Sequence, residues 1–245
     1  MMLNIADFDP ITLEEMDKVA ALRTRIDRKY IVDSLTAGKL LESLSSCAAL
    51  EIDGKRSFNY RSVYFDSPDF ASYRSAAHRR RRRYKIRSRS YLDAGICKLE
   101  VKLRSGGKKN TKKRFDYALD RSRVITDEGR SFIESAVGDL EIPTRLEPVL
   151  TTQYERSTLV DLNSSARLTC DENLVCEDWE GNQISLDYFV FETKSDGPPS
   201  SFDRLLWENK VRPIRISKFC TGLAALHPEL PSNKWHRTLN RYFFS

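Results

Sequence analysis

The segment Lys98-Leu-Glu-Val-Lys-Leu-Arg104 alternates charged and apolar residues without a break. A strand period of two puts Lys98, Glu100, Lys102 and Arg104 on one face and Leu99, Val101 and Leu103 on the other. Such a segment suits a sheet with one apolar and one ionic side. The period recurs in Tyr84-Lys-Ile-Arg-Ser-Arg-Ser-Tyr91, where Lys85, Arg87, Arg89 and Tyr91 stand opposite Ile86. Phe189-Val-Phe-Glu-Thr-Lys194 repeats the Glu-x-Lys of Glu100-Val101-Lys102, so Glu192 and Lys194 share a face. Tyr154 with Arg156, Arg167 with Thr169, and Lys112 with Arg114 make further same-face pairs.

Any one of these strands could belong to an ordinary half-exposed sheet. Their repetition argues otherwise, because a solvated face mixes signs at short range. Here the strand cations recur with Glu100 and Glu192 as the notable carboxylates among them. Concentrated positive charge costs stability until an anion neutralises it. If the sheet closes with its cations inward, the lumen cannot be dry, since unpaired buried charge is too costly. It must hold a polyanion. Guanidinium forks and ammonium groups suit phosphate oxygens, and an inward carboxylate can hold the divalent metal that phosphates recruit.

Around these strands the chain reads as one α+β domain over residues 1–245, largely antiparallel, because strands follow one another without a helix after each. Thr12 and Glu15 form a capping box that predicts a helix over 12–23. A strand follows over Arg25–Val32, then a helix from Ser34 to Leu44 with Ser34 as its cap. From residue 58 the period changes to two: Phe58–Asp66, Arg82–Tyr91, Cys97–Arg104, Lys112–Leu119, Leu150–Leu159, Arg167–Asp171 and Tyr188–Lys194 are strands. Asp69–Ala76 is a short helix or turn, Gly106-Gly107 suggests a hairpin, and Asp127–Val137 and Ser201–Asn209 are inserted helices.

Forty-one Lys and Arg against 35 Asp and Glu leave a net charge of +6, concentrated in residues 79–114. That favours an anionic partner. The run Arg79–Arg83 could read as a nucleic-acid patch. It leads straight into the Arg87 strand and lacks interleaved stacking aromatics, so a basic mouth drawing in a polyanion explains it at least as well, without a specific nucleic acid. No stretch is long and apolar enough to span a membrane, and the N-terminus lacks a secretory layout, so a cytoplasmic location is expected, with any membrane partner on a separate chain. Five cysteines without a CxxC pair and three histidines make reduced, structural thiols the expectation. Trp179, Trp207 and Trp235 are expected to pack on the sheet or its helices. His227 and His236 show no partner.

Taken in order, Arg25-Ile-Asp-Arg-Lys-Tyr-Ile-Val32, Arg61-Ser-Val-Tyr-Phe-Asp66, Lys85-Ile-Arg-Ser-Arg-Ser-Tyr91, Leu99-Glu-Val-Lys102, Lys112-Lys-Arg-Phe115, Tyr154-Glu-Arg156, Ala166-Arg-Leu168, Phe191-Glu-Thr-Lys194 and Ser217-Lys-Phe219 resemble the VTC domain, the polyphosphate polymerase branch of the triphosphate tunnel metalloenzymes. The resemblance covers about residues 10–225. It implies a closed eight-stranded antiparallel β-barrel with flanking helices that transfers the terminal phosphate of ATP onto a growing inorganic polyphosphate, using a divalent metal, manganese or magnesium in its place. Carried across, the catalytic cations would be Lys29, Arg87, Arg89, Lys102, Arg156, Arg167, Lys194 and Lys218. Lys112, Arg114, Tyr154 and Arg215 would contact substrate, and Glu192 with Glu100 would serve the metal. A tripolyphosphatase of the same fold and a non-catalytic polyphosphate or nucleic-acid binding module are the alternatives. Two departures stand out. The Tyr-Gly turn of the family is the longer Tyr91-Leu-Asp-Ala-Gly95, and a one-residue shift in the lysine-rich segment Gly106–Lys113 would exchange Lys112 for Lys113.

Overall fold

The alternating segments are strands in the computed structural model, which describes residues 3–19, 26–106 and 110–244. In chain order the elements are β1 (Asp9–Ile11), α1 (Leu13–Val19), β2 (Ile26–Val32), α2 (Ser34–Glu42), β3 (Cys47–Leu50), β4 (Ser57–Asp66), α3 (Ala71–Ala77), β5 (Arg82–Tyr91), β6 (Ile96–Ser105), β7 (Asn110–Tyr117), α4 (Asp127–Val137), β8 (Glu147–Asp161), β9 (Arg167–Glu177), β10 (Gln183–Leu186), β11 (Phe189–Ser195), α5 (Ser201–Glu208), α6 (Lys218–Leu226) and α7 (His236–Tyr242). The expected helical residues 20–23, Arg25 of the expected strand and Gly107 of the expected hairpin lie outside the described residues. Asp33, rather than Ser34, caps α2: its carboxylate accepts from Thr36 N at 2.8 Å, one residue earlier than the serine could reach.

The architecture is α+β, and eight strands follow the order β2-β11-β9-β8-β4-β5-β6-β7. The resemblance implies a closed barrel; the order instead has ends, β2 and β7, with no closing pair among the described residues. Lys112, Lys113 and Arg114 on β7 supply a physical reason, since charge on an end strand opposes further pairing. The pairs with recorded register are antiparallel apart from β1 with β3.

Backbone contacts group the chain into two compact units. The first comprises Met1–Phe58, Tyr154–Leu174 and Leu186–Ile216, and the second Asn59–Gln153, Val175–Ser185 and Ser217–Ser245. In the first unit the apolar side chains of β2, β9 and β11 (Tyr30, Val32, Leu168, Cys170, Phe189 and Phe191) bury against Leu40 and Leu41 of α2 and Phe202 and Leu206 of α5. Buried Asp203 ties α5 to this sheet, accepting from the hydroxyls of Tyr30 and Thr193, each at 2.6 Å, and from Ser200 N at 2.7 Å. Its carboxyl is lowered: burial opposes ionisation, and these hydrogen bonds overcome it.

In the second unit Val63, Phe65, Tyr84, Ile86, Leu99 and Val101 pack against Ile133, Ala136 and Val137 of α4. Truncating a side chain as enclosed as Leu99 costs about 2–5 kcal/mol. Asp66 closes β4 and heads α3, accepting from Ser67 N, Ser72 N and Tyr73 N at 2.9, 2.9 and 2.8 Å. Gly95 closes the β5–β6 connection at φ +65°, the left-handed region that glycine enters without strain. In α6, Gly222 lies so close to Cys176 that a Cβ there would sit 2.6 Å from its Sγ.

All five cysteines are free and buried. Burial pushes the Cys176 thiol up to about 12, so it behaves as a packing group. Trp207 donates to the Tyr30 hydroxyl at 3.1 Å and Trp235 packs on Tyr73, both as expected of packing residues. Trp179 departs from that expectation: it is 46% exposed and stacks on His227, with ring centroids 4.5 Å apart. His227 in turn has the partners its sequence context hid, facing Asp178 at 3.2 Å and Glu229 at 3.3 Å.

Candidate functional site

Register decides which charges meet. On β5 and β6, Lys85 pairs with Lys102, Arg87 with Glu100 and Arg89 with Lys98. On β6 and β7, Lys102 pairs with Lys112 and Glu100 with Arg114. On β4, Tyr64 pairs with Arg87 and Ser62 with Arg89. Residues opposite one another share a face, so Arg87, Arg89, Glu100, Lys102, Lys112 and Arg114 stand together, with their apolar neighbours turned toward α4. The choice between Lys112 and Lys113 is settled by this register. Lys113 pairs with Val101 and donates to Ser135 O of α4 at 3.2 Å, on the opposite face.

Glu100 is the hub of this face, its side chain only 2% exposed. Arg87 donates to Oε2 through Nε at 2.8 Å and Nη2 at 2.5 Å, while Lys112 and Arg114 reach Oε1 at 2.5 and 3.1 Å. Burial favours the neutral acid, but Arg87, Arg89 and Lys112 outweigh it and hold the carboxyl far below the usual range. Lys112 shifts against its own charge: loss of water, with Arg87 and Arg89 adding repulsion and Glu100 opposing, brings its ammonium down to about 7. Arg87 also donates to the Tyr64 hydroxyl at 3.2 Å. Buried Arg89 reaches Ser62 Oγ at 3.4 Å and lies 5.6 Å from the centre of the Tyr60 ring. Lys218 opens α6 in this unit, with Nζ enclosed.

The first unit repeats the pattern. Lys29 pairs with Glu192, which pairs on its other side with Thr169; Lys194 pairs with Arg167 and Val190 with Asp171. Glu192 accepts from Lys29 Nζ at 3.1 Å and Lys194 Nζ at 2.6 Å. Lys29 is raised, chiefly by Glu192 and against its own burial; Glu192 is lowered, with Lys29 and Lys194 overcoming burial. Arg156 grips Asp171 with both ends of its fork, Nε to Oδ1 at 2.5 Å and Nη2 to Oδ2 at 2.8 Å, and lies 5.3 Å from the centre of the Tyr154 ring. Arg167 donates to Met16 O at 3.0 Å and Asp17 Oδ1 at 2.8 Å of α1. Arg215 is exposed beside Ile214, whose N–H donates to Lys29 O at 2.8 Å.

The predicted residues therefore fall into two same-face groups: Arg87, Arg89, Glu100, Lys102, Lys112 and Arg114 in one unit, and Lys29, Arg167, Glu192 and Lys194 with Arg156 in the other. Sequence reading passes over Asp171, although extending the Arg167/Thr169 alternation by one step reaches it. It also passes over Tyr64, for which the register is needed.

Among the described residues no group of three or more His, Cys, Asp and Glu side chains could hold a metal ion. Glu192 and Glu100 belong to separate groups, each facing cations. A divalent ion fits this donor set with a single protein carboxylate, provided substrate oxygens and water complete its shell.

Antiparallel strands gather Arg and Lys around a buried carboxylate on one face, with helices on the apolar face, in an α+β domain of the triphosphate tunnel fold. The VTC domain family matches residues 15–227, and the chain belongs to that family. Among solved structures, the chain is similar to a Hippeastrum protein described as an adenylyl cyclase by name with a dominant triphosphatase activity. That likeness has 15% identity and a TM-score of 0.50, covering 81% of this chain and 95% of that one. A Vibrio parahaemolyticus protein named as an adenylate cyclase shows 13% identity and a TM-score of 0.43 over 79% of this chain and 94% of its own. No curated protein matches the chain. Family membership connects the chain to polyphosphate and triphosphate chemistry.

Proposed function

We propose that this chain is a polyphosphate polymerase that transfers the terminal phosphate of ATP onto inorganic polyphosphate with the help of a divalent metal. One observation carries the reading: Arg87, Lys112 and Arg114 converge on the single buried carboxylate of Glu100, beside Arg89 and Lys102, leaving positive charge in excess where a chain of phosphates needs it. Phosphoryl transfer asks for alignment and charge neutralisation more than for a covalent nucleophile. Arg87 and Arg89 offer planar donors held by Tyr64 and Ser62, so little reorganisation accompanies charge development on the phosphate oxygens. Within the first unit Lys29, Arg156, Arg167 and Lys194, with Tyr154 and Arg215, stand at positions that the family resemblance assigns to phosphate contacts, as Lys218 does in the second.

Glu192 would hold the metal as the carboxylate of its own group, and Glu100 is the corresponding carboxylate of the other; a bound divalent ion, manganese or magnesium, would neutralise charge on phosphate oxygens. The acceptor is the end of a polyphosphate, or inorganic phosphate in the first cycle. A tripolyphosphatase is the second reading, favoured by the activity described for the Hippeastrum protein; water then replaces the acceptor.

Incubation of purified protein with ATP and manganese distinguishes the readings. A ladder of polyphosphate on a gel is expected, orthophosphate alone would establish hydrolysis, and tight polyphosphate binding without turnover would reduce the chain to a binding module. Glu192→Gln is expected to lose turnover by at least 100-fold while retaining polyphosphate affinity.

A further inference from the structure

The arginine run and the start of β5 make a second cationic group that the proposed reaction does not use. Arg83 pairs with Arg104 across β5 and β6, so it shares the ionic face with Lys85. Lys85 Nζ contacts Ser217 Oγ at 3.0 Å and Cys220 Sγ at 3.1 Å, and lies 5.4 Å from the centre of the Phe219 ring. Lys234 Nζ donates to Ala76 O at 2.8 Å and lies 5.0 Å from the centre of the Trp235 ring. Arg83 donates through Nη1 to Arg80 O at 2.5 Å. Arg79 follows α3 in the left-handed region at φ 56°, and is exposed. All belong to the second unit.

The partners of these cations are carbonyls, a hydroxyl, a thiol and rings. Among the described residues none of Arg79, Arg83, Lys85 and Lys234 forms an ion pair with a carboxylate, in contrast to Arg87, Lys112 and Arg114 on the same face. Half-buried like charges without a counterion are costly unless an anion arrives. Lys234 registers that cost: loss of water, with Arg83, Lys85 and Arg79 adding repulsion and Cys220 opposing, lowers its ammonium to about 8.

We propose that Arg83, Lys85 and Lys234, with Arg79 at the rim, form an additional phosphate-chain site that holds polyphosphate beyond the segment bound at Arg87 and Arg89. The proposal rests on the polyphosphate reading above. Four residues of strand separate Arg83 from Arg87, about 14 Å at some 3.4 Å per residue, so a long phosphate chain can engage both groups. The site therefore selects for chain length.

Calorimetric titration of the full chain with tripolyphosphate and with a polyphosphate of several tens of units tests this. Arg79→Gln, Lys234→Met and the pair together are expected to weaken the long chain progressively, by about tenfold for the pair, while tripolyphosphate affinity changes less than twofold. Lys234→Arg should restore long-chain affinity, and circular dichroism melts check that each variant folds. Unchanged long-chain affinity in the folded pair would overturn the proposal, as would equal losses for both ligands. Displacement of polyphosphate by a single-stranded RNA of equal charge at lower concentration would assign the group to nucleic acid instead. Wild-type protein binding neither phosphate ligand would sink the polyphosphate reading itself, an outcome separate from a variant effect confined to the long chain.

Discussion

In the first unit Lys29 and Lys194 close on Glu192, Arg156 on Asp171 and Arg167 on Asp17, whereas in the second unit Arg87, Lys112 and Arg114 must share Glu100. The same sheet alternation thus yields two electrostatic states. Paired charges hold a scaffold in place, and removing one member strands its partner in a poorly solvated position. Sharing leaves residual attraction, which a polyanion can use, and it goes further at Glu100, with three cations, than at Glu192, with two. Stability should therefore depend most on pairs in the first unit, and ligand response most on the hub of the second.

The largest effect is expected from Arg156→Ala, which leaves buried Asp171 without its two-point partner. Urea unfolding should show a loss of about 3–5 kcal/mol. A loss under about 1 kcal/mol, the range of an exposed pair, would break the contrast. Glu100→Gln should cost less without ligand, about 1–3 kcal/mol, because Lys112 can shed its proton, and tripolyphosphate should raise the melting temperature of this variant more than that of wild type. An equal or smaller ligand response would show that Glu100 organises binding rather than restraining it.

Lys112 sharpens the comparison further. With its ammonium near 7 in the free protein, it is mostly neutral at pH 8; a bound polyanion raises it again, so binding takes up protons and weakens as pH climbs above 7. Titration at pH 8 in two buffers of different ionisation heat should report uptake of up to one proton, absent in Lys112→Met. Identical heats in both buffers would refute this. The smallest effect belongs to Lys113→Ala on the α4 side, which should change tripolyphosphate affinity less than twofold.

Alternation makes β4, β5, β6 and β11 legible in the sequence, because an amphipathic strand writes its two faces directly into the chain. Helix α4 is legible over its full extent, Asp127–Val137. The strand Cys47–Leu50 is not, since all four of its residues are buried and no period of two appears. Helix α6 carries the buried run from Phe219 to Ala224 and lacks the polar stripe that would mark a surface helix. The site is half legible. Which charges share a face follows from parity, but whether a cation meets its own carboxylate or competes for one depends on inter-strand register, which no single segment encodes. That is why Asp171 escapes a reading of the sequence and why Lys112 is ambiguous there, its face being fixed only by its pairing with Lys102.

Gly222 gives α6 its seat, because nothing larger than hydrogen fits against Cys176. The same helix is capped by Ser217, whose hydroxyl touches the Lys85 ammonium. A methyl group at 222 would lift the helix like a shim beneath a hinge, and so would detune the grip on Lys85 without altering a single charge. Variation at this uncharged position would thus reach the ammonium that we assign to the long-chain phosphate site.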